Sequence, residues 1–243
     1  MVSYAVRPIP LACGSAFLYN KLWRMGGGGH VPSGILTWYI EGPKRNILVD
    51  AGCDAETLQK AGLASYRHIQ TVEEGLAKLG LKPEDIDLVI QTHLHVDHIA
   101  LAKKYPKAKF LVQKAEFDIN RNPPPIDIRP CAPELLDTVD WQIIEGDYQV
   151  EEGIKLLFTP GHTPGGQSVA VDTAEGLVII DGLCGADENY NPPAAVKDKM
   201  PVIAPGLHTD PVAGYHSFLK IKQLADIVIP LHEPRFLFID RIP

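Results

Sequence analysis

Three imidazoles and a carboxylate fall within six residues of this chain, in the run His93-Leu94-His95-Val96-Asp97-His98. Imidazole nitrogen suits zinc, copper, iron and nickel, and a carboxylate beside it keeps the set hard enough for zinc, iron or manganese. The run follows Ile86-Asp87-Leu88-Val89-Ile90-Gln91, an apolar stretch that reads as a buried strand. His93 and His95 are two apart, so in extended chain both point the same way, while Asp97 and His98 turn off that line and can serve a second centre. The competing reading is a polar surface loop in which Asp97 caps the following helix. Histidine is scarce, nine in 243 residues, and three of the nine at one strand end favour metal chemistry.

Other strand ends carry the same residue types. Ile154–Phe158 leads to Thr159-Pro160-Gly161-His162, Leu177–Ile180 to Asp181-Gly182, and Ile227–Ile229 to Pro230-Leu231-His232. Ligands at the ends of adjacent strands can converge on one point. Three histidines would hold one tetrahedral zinc with an open position. The full set of five histidines and two aspartates suits two divalent metal ions per chain that share a carboxylate, with zinc as the metal and iron or manganese as alternatives. His30, His68, His208 and His216 lack such placement, and His68 and His216 read as surface or packing residues.

The positioning elements are legible from pattern. Ile35–Ile40 and Ile47–Val49 form a hairpin across Gly42-Pro43-Lys44-Arg45-Asn46, and the second strand ends in Asp50-Ala51-Gly52. Val72 to Leu79 has helical apolar spacing and stops at Gly80. His98 to Tyr105 reads as a short helix ended by Pro106, Lys109–Gln113 as a strand, and Lys114–Ile119 as a helical turn. Strands are expected near Thr138–Glu145 and at Gln167–Val171, and a helix over Val212–Leu224. The run Gly26-Gly27-Gly28-Gly29 before His30 precedes strands rather than a helix, so it reads as a mobile loop over Gly26–Pro32, part of a substrate pocket or a bare linker. Asn122–Pro133, with five prolines, is an irregular crossing between two halves. Glu188–Pro211 is a loop long enough to suggest function.

Composition narrows the function classes. The chain is 45% hydrophobic and 22% charged with net charge -7, an ordinary globular balance. The densest lysines, Lys103, Lys104, Lys107 and Lys109, form no basic stripe, which argues against a nucleic-acid partner. No apolar run reaches signal-peptide or membrane-spanning length. Cys13, Cys53, Cys131 and Cys184 make no CxxC clip, and a reduced, cytoplasmic state is expected. The expected partner is a small-molecule substrate, and a homodimer is compatible with the sequence.

Taken together, His93-x-His95-x-Asp97-His98, His162, Asp181 and His232 resemble the pattern of the metallo-β-lactamase-fold hydrolases over Ile35 to His232. The resemblance implies an α/β (α+β) fold, a four-layer αβ/βα sandwich, as one domain over 1–243. It implies His93, His95 and His162 on one metal, Asp97, His98 and His232 on the other, and Asp181 bridging, with Asp50 supporting the ligands from behind. Three stretches are similar to N-acyl homoserine lactonases and pyridoxolactonase: Ile47–Gly52, Thr159–Gly165 and His208–Gly214. Three departures stand out. Cys184 occupies a position where those lactonases carry a substrate-contacting tyrosine. Ile99-Ala100-Leu101-Ala102 replaces a Gly-Gly pair, and Glu233 replaces an aspartate after the last histidine.

The resemblance implies a quorum-quenching-lactonase-like hydrolase that opens a cyclic ester, with Asp97 or Asp181 as proton carrier. His208, Tyr190 and His30 are the candidate substrate contacts, and Cys184 reads as a packing residue. Another ester, thioester or cyclic-amide hydrolase of the fold is the alternative, and a metal-binding or redox protein is the non-enzymatic one. A glyoxalase II-like thioesterase lacks room after His232 for its helical domain. A true β-lactamase is disfavoured by His98, and a ribonuclease by the missing basic surface.

Overall fold

The protein is described by a computed structural model over residues 3–25, 28–125 and 131–243. Gly26 and Gly27 of the glycine run, and residues 126–130 of the proline-rich crossing, lie outside the described residues. A first sheet contains β1 (Ala5–Phe17), β2 (His30–Glu41), β3 (Ile47–Val49), β4 (Arg67–His68), β5 (Leu88–Ile90), β6 (Lys109–Gln113) and β7 (Asp140–Ile144), in the order β4-β1-β2-β3-β5-β6-β7. A second contains β8 (Tyr148–Glu151), β9 (Ile154–Phe158), β10 (Gln167–Thr173), β11 (Gly176–Ile180) and β12 (Ile227–Ile229), in the order β12-β11-β10-β9-β8.

Side-chain alternation explains the layering. Ile47 and Val49, Leu88 and Ile90, and Leu111 face inward to meet Val169, Val171, Val178 and Ile180 of the other sheet. Leu48, Val89, Phe110 and Val112 face outward into one cluster with Val72 and Leu76 of α3 (Val72–Ala77), Ile99, Tyr105 and Leu136. On the second sheet Leu157, Ala170 and Ile179 face outward under Phe218 and Ile221 of α7 (Pro211–Leu224). Strands buried on both faces must read as continuous apolar runs, and these do. The result is the expected four-layer αβ/βα sandwich. The remaining helices are α1 (Leu18–Lys21), α2 (Ala55–Lys60), α4 (Val96–Ile99), α5 (Lys114–Arg121) and α6 (Asp187–Tyr190). Among the described residues, no helix is long and apolar enough to cross a membrane.

Several elements differ from expectation. β1 is the longest strand although it contains Pro8 and Pro10. Val6 N–H points away from β2, to Ile242 O at 2.8 Å. Pro8 and Pro10 share its parity, so the N–H groups they lack would face that same side, where β4 pairs only with Ala12 and Cys13. The sheet loses no ladder bond to β2, which is where proline is tolerated in strands. The helix expected over His98–Tyr105 is instead α4 plus a separate 3-10 turn at Ala102–Lys104. Leu101 N–H donates to Gly52 O at 3.1 Å, which draws the chain out of the helical ladder. Finally, β2 starts at His30, so that histidine opens a strand rather than lying within a loop.

Candidate functional site

The site forms where β3, β5, β9, β11 and β12 end, and each turn there is held in a defined shape. Asp50, just after β3, has φ 61 and is fully buried. Its carboxylate accepts from Thr92 N–H at 2.7 Å, from the Thr92 hydroxyl at 2.9 and 3.0 Å, and from His98 Nδ1–H at 2.7 Å. Because the Thr92 proton goes to Asp50, Thr92 Oγ1 accepts from His93 Nδ1–H at 3.1 Å. Asp50 therefore orients two imidazoles, one directly and one through a hydroxyl. Hydrogen bonds of this kind fix the tautomer that leaves Nε2 as a metal donor.

The histidines at the strand ends of the second sheet are held by backbone carbonyls instead. His162 Nδ1–H donates to Leu207 O at 2.9 Å, and His232 Nδ1–H to Gly34 O at 3.0 Å. Gly161, with φ +135, lets the His162 turn pass close to α7: a Cβ there would lie 2.2 Å from Gly214 N. Glu116, on α5, joins the two ligand loops. It accepts from Leu94 N–H at 2.9 Å, between His93 and His95, and from Gly165 N–H at 3.2 Å, just past His162.

Two clusters of donor atoms result. Those of His93, His95 and His162 lie within 4.8 Å of one another, as do those of His93, Asp97 and His98. The rings of His93, His95 and His162 meet edge to face with centroids 4.7 to 4.8 Å apart. His98 Nε2 and His232 Nε2 lie 3.3 and 3.5 Å from Asp97 Oδ2. His93 Nε2 and His98 Nε2 are buried with no hydrogen-bond partner, the 3.3 Å approach to Asp97 being poorly directed. Buried nitrogens that converge without partners fit a metal cation, and the donor set of imidazole plus carboxylate suits zinc. The cluster fits a dinuclear metal site.

Electrostatics keep most of these rings neutral and set His98 apart. Burial, then repulsion from His98 and His162, holds His93 well below the usual imidazole range. Burial pushes His95 down to about 4 and His232 to about 3, so these rings are neutral and available as ligands. Burial also pulls on His98, but the Asp97 and Asp50 carboxylates on either side outweigh it and raise its pKa to about 10. Asp181 is fully buried, and desolvation pushes it up to about 7 against its hydrogen bonds from Tyr190 and Leu183.

The other sequence candidates fall into distinct places. Asp181 sits at the end of β11, but its oxygens accept from Leu183 N–H at 3.0 Å and Tyr190 OH at 2.7 Å, and it belongs to neither donor cluster. Tyr190 is therefore not a cavity donor: its buried hydroxyl is engaged by Asp181 and its ring packs edge-on against Phe218. His208 does line the cavity, held by a bond from Nδ1–H to Pro205 O at 2.8 Å. His30 is exposed, 4.1 Å from the Phe17 ring, and is not on the cavity wall. Cys184 is on the wall, so packing alone does not describe it. The cavity holds about 410 Å³ and reaches His95, Asp97, His162 and His232. Lys21 and Glu116 carry no signal in the sequence, being a lone lysine after Asn20 and a glutamate on a short helix.

The profile of the metallo-beta-lactamase superfamily matches residues 30–179. The chain belongs to the metallo-beta-lactamase superfamily. An N-acyl homoserine lactonase from a Bacillus species is 34% identical over 206 residues, spanning 78% of this chain and 73% of that protein. The N-acyl homoserine lactonase AiiB of Agrobacterium fabrum is 26% identical over 183 residues, 66% of each chain. An N-acyl homoserine lactone hydrolase, solved with the product N-hexanoyl-L-homoserine at its catalytic metal center, superposes with a TM-score of 0.76 at 23% identity, over 97% of this chain and 95% of that one. The dizinc quorum-quenching lactonase AidC superposes with a TM-score of 0.69 at 16% identity, over 99% and 90%. At these identities the structural likeness concerns the fold. The resemblance drawn from the ligand motif and the three flanking stretches is borne out.

Proposed function

We propose that this superfamily member is a dinuclear metal-dependent hydrolase that opens lactones, the reaction for which its relatives are named. The observation that carries this reading is the pair of donor clusters sharing His93 beside one cavity, with the Nε2 atoms of His93 and His98 buried and unpartnered. In this reading His93, His95 and His162 hold one ion, Asp97, His98 and His232 the other, and Asp181 is the shared carboxylate. Zinc ions held there would supply a water-derived nucleophile at neutral pH and polarise an ester carbonyl.

The chain's own residues do the rest. Asp50 and Thr92 keep His93 and His98 in the ligating tautomer, and Glu116 keeps the two ligand loops in register. Attack forms a bond from oxygen to the carbonyl carbon and breaks the ring C–O bond. The proton given up by the attacking water passes to the carboxylate of Asp97 or Asp181 and from there to the departing alkoxide oxygen. His208 faces the substrate from one side. Leu63, Ile119 and Leu207 form an apolar wall for an acyl or aromatic part, and the cavity volume suits a small molecule.

Three further readings belong with this one. The chain acts as one domain over 1–243, supported by an inner core that draws on both halves. It works in the cytoplasm, supported by free thiols at Cys13, Cys53 and Cys184. It forms a homodimer, supported by the exposed rings of Phe17, Tyr19 and Phe238; light scattering that gives the mass of one chain at micromolar concentration counts against it. The function is tested with a panel of acyl homoserine lactones, aromatic lactones, thioesters and cyclic imides. Turnover of lactones is expected, and turnover of thioesters or imides with every lactone inert defeats the reading.

A further inference from the structure

Lys21 ends α1 at the tip of the β1–β2 hairpin and is 4% exposed. Its place is fixed by the backbone. Its carbonyl accepts from Gly206 N–H at 3.1 Å and from the buried Asn189 amide at 2.9 Å. Leu207 N–H donates to Asn20 O at 2.8 Å and Trp23 N–H to Ala204 O at 3.0 Å, so α1 is pinned along residues 203–207. That stretch ends at Leu207, whose carbonyl orients His162. The Lys21 side chain then runs inward, and Nζ donates to Cys184 Sγ at 3.6 Å. Cys184 in turn faces the cavity beside His95, Asp97, His162 and His232.

A buried ammonium is costly unless a counter-charge meets it. Here it meets a sulphur, and among the described residues no carboxylate forms an ion pair with it. Its field still reaches the ligands. Burial dominates at His232 and Asp181, and Lys21 pulls His232 further down and Asp181 partly back down. The molecule thus keeps a buried ammonium without an ion-pair partner one side chain away from the cavity, where it favours negative charge inside.

We propose that Lys21, acting through the Cys184 thiol, stabilises negative charge on substrate oxygen: on the carbonyl oxygen as the ester opens, and on the carboxylate of the product. The inference rests on the lactone-opening reading and adds to it the residues that meet the oxygen. Lys21 is the positioning residue. Because it donates to the sulphur, the thiol proton is left to point at the substrate, and Cys184 is the contact. A fixed charge in a water-poor site acts on developing charge more strongly than it would in water.

The test uses the zinc-loaded full chain as wild type, Lys21→Met, Lys21→Gln, Cys184→Ser and Cys184→Val. A chromogenic lactone gives kcat and KM. Calorimetry with 4-hydroxybutyrate, a ring-opened lactone, gives binding without turnover, and metal content and Tm are read alongside. Lys21→Met is expected to lower kcat roughly tenfold or more with KM near wild type, and to weaken 4-hydroxybutyrate binding about tenfold, the worth of one favourable contact to a charge. Metal content and Tm should hold, since methionine is close to lysine in length and volume. Cys184→Ser, which keeps an O–H donor, should lose less than Cys184→Val. Unchanged kcat and binding in both lysine variants overturn the proposal. So does loss of metal or of folding in both, because Lys21 would then be structural. A wild type inert on every lactone defeats the functional reading instead, and the binding comparison still decides the role of Lys21.

Discussion

The two sides of the site are built differently. The first-sheet side, His93 to His98 with Asp50 and Thr92, is assembled from short segments at the ends of neighbouring parallel strands, β3 and β5. Its hydrogen bonds run between side chains that a motif can encode, from Asp50 to Thr92 to His93 and from Asp50 to His98. The second-sheet side, with Asp181, Cys184, His208 and His232, is assembled from distant pieces. Gly34 orients His232, Leu207 orients His162, Tyr190 meets Asp181, and Lys21 reaches Cys184. The first side is a metal-holding device stabilised locally. The second is an enclosure that depends on how loops dock.

This contrast gives variants on the two sides different signatures. The largest effect is expected where both meet. His95→Ala removes a ligand and Asp181→Asn a charge, and each should cut turnover by roughly a thousandfold or more, while exposed His68→Ala stays near wild type. A dead His68→Ala beside an active Asp181→Asn would break the ligand assignment.

Thr92→Val comes next. It deletes the hydroxyl linking Asp50 to His93, so zinc affinity should fall about 10- to 100-fold in a competition titration with a chelator. Unchanged affinity would show that the first side does not rely on its local hydrogen bonds. Glu116→Ala leaves Leu94 N–H and Gly165 N–H buried without their acceptor, at a cost of about 1–3 kcal/mol each. Denaturant unfolding should register that loss, and zinc should bind more weakly because both ligand loops loosen.

Asn189→Ala is expected to be milder and to fall on the second side. The amide ties Lys21 O to Ile203 O, and its Oδ1 accepts from Ala186 N–H at 2.7 Å. Its loss should cost about 1–3 kcal/mol of stability and reduce turnover, with zinc affinity unchanged. Loss of zinc in this variant would erase the distinction between the two sides.

The same contrast explains what the sequence disclosed. The seven ligand candidates are legible because each follows an apolar strand directly, and strand alternation places the core without further information. The 3-10 break after α4 was hidden because it depends on Gly52, some fifty residues earlier in the chain. β1 carries Pro8 and Pro10, which are harmless only because that side of the strand pairs sparsely, a condition set by its neighbours and not by local pattern. Sequence gives loop residues no direction, so Tyr190 reads as a substrate contact, whereas its hydroxyl meets Asp181. Lys21 was invisible because a lysine usually reads as solvated surface.

The most direct test of the account is a zinc titration of chelator-stripped protein, with lactone opening followed by proton release. Turnover is expected to be absent in the stripped protein and to reach its full value only as the second equivalent of zinc per chain binds. Full turnover without zinc, or after one equivalent, would contradict a dinuclear site that opens the ring.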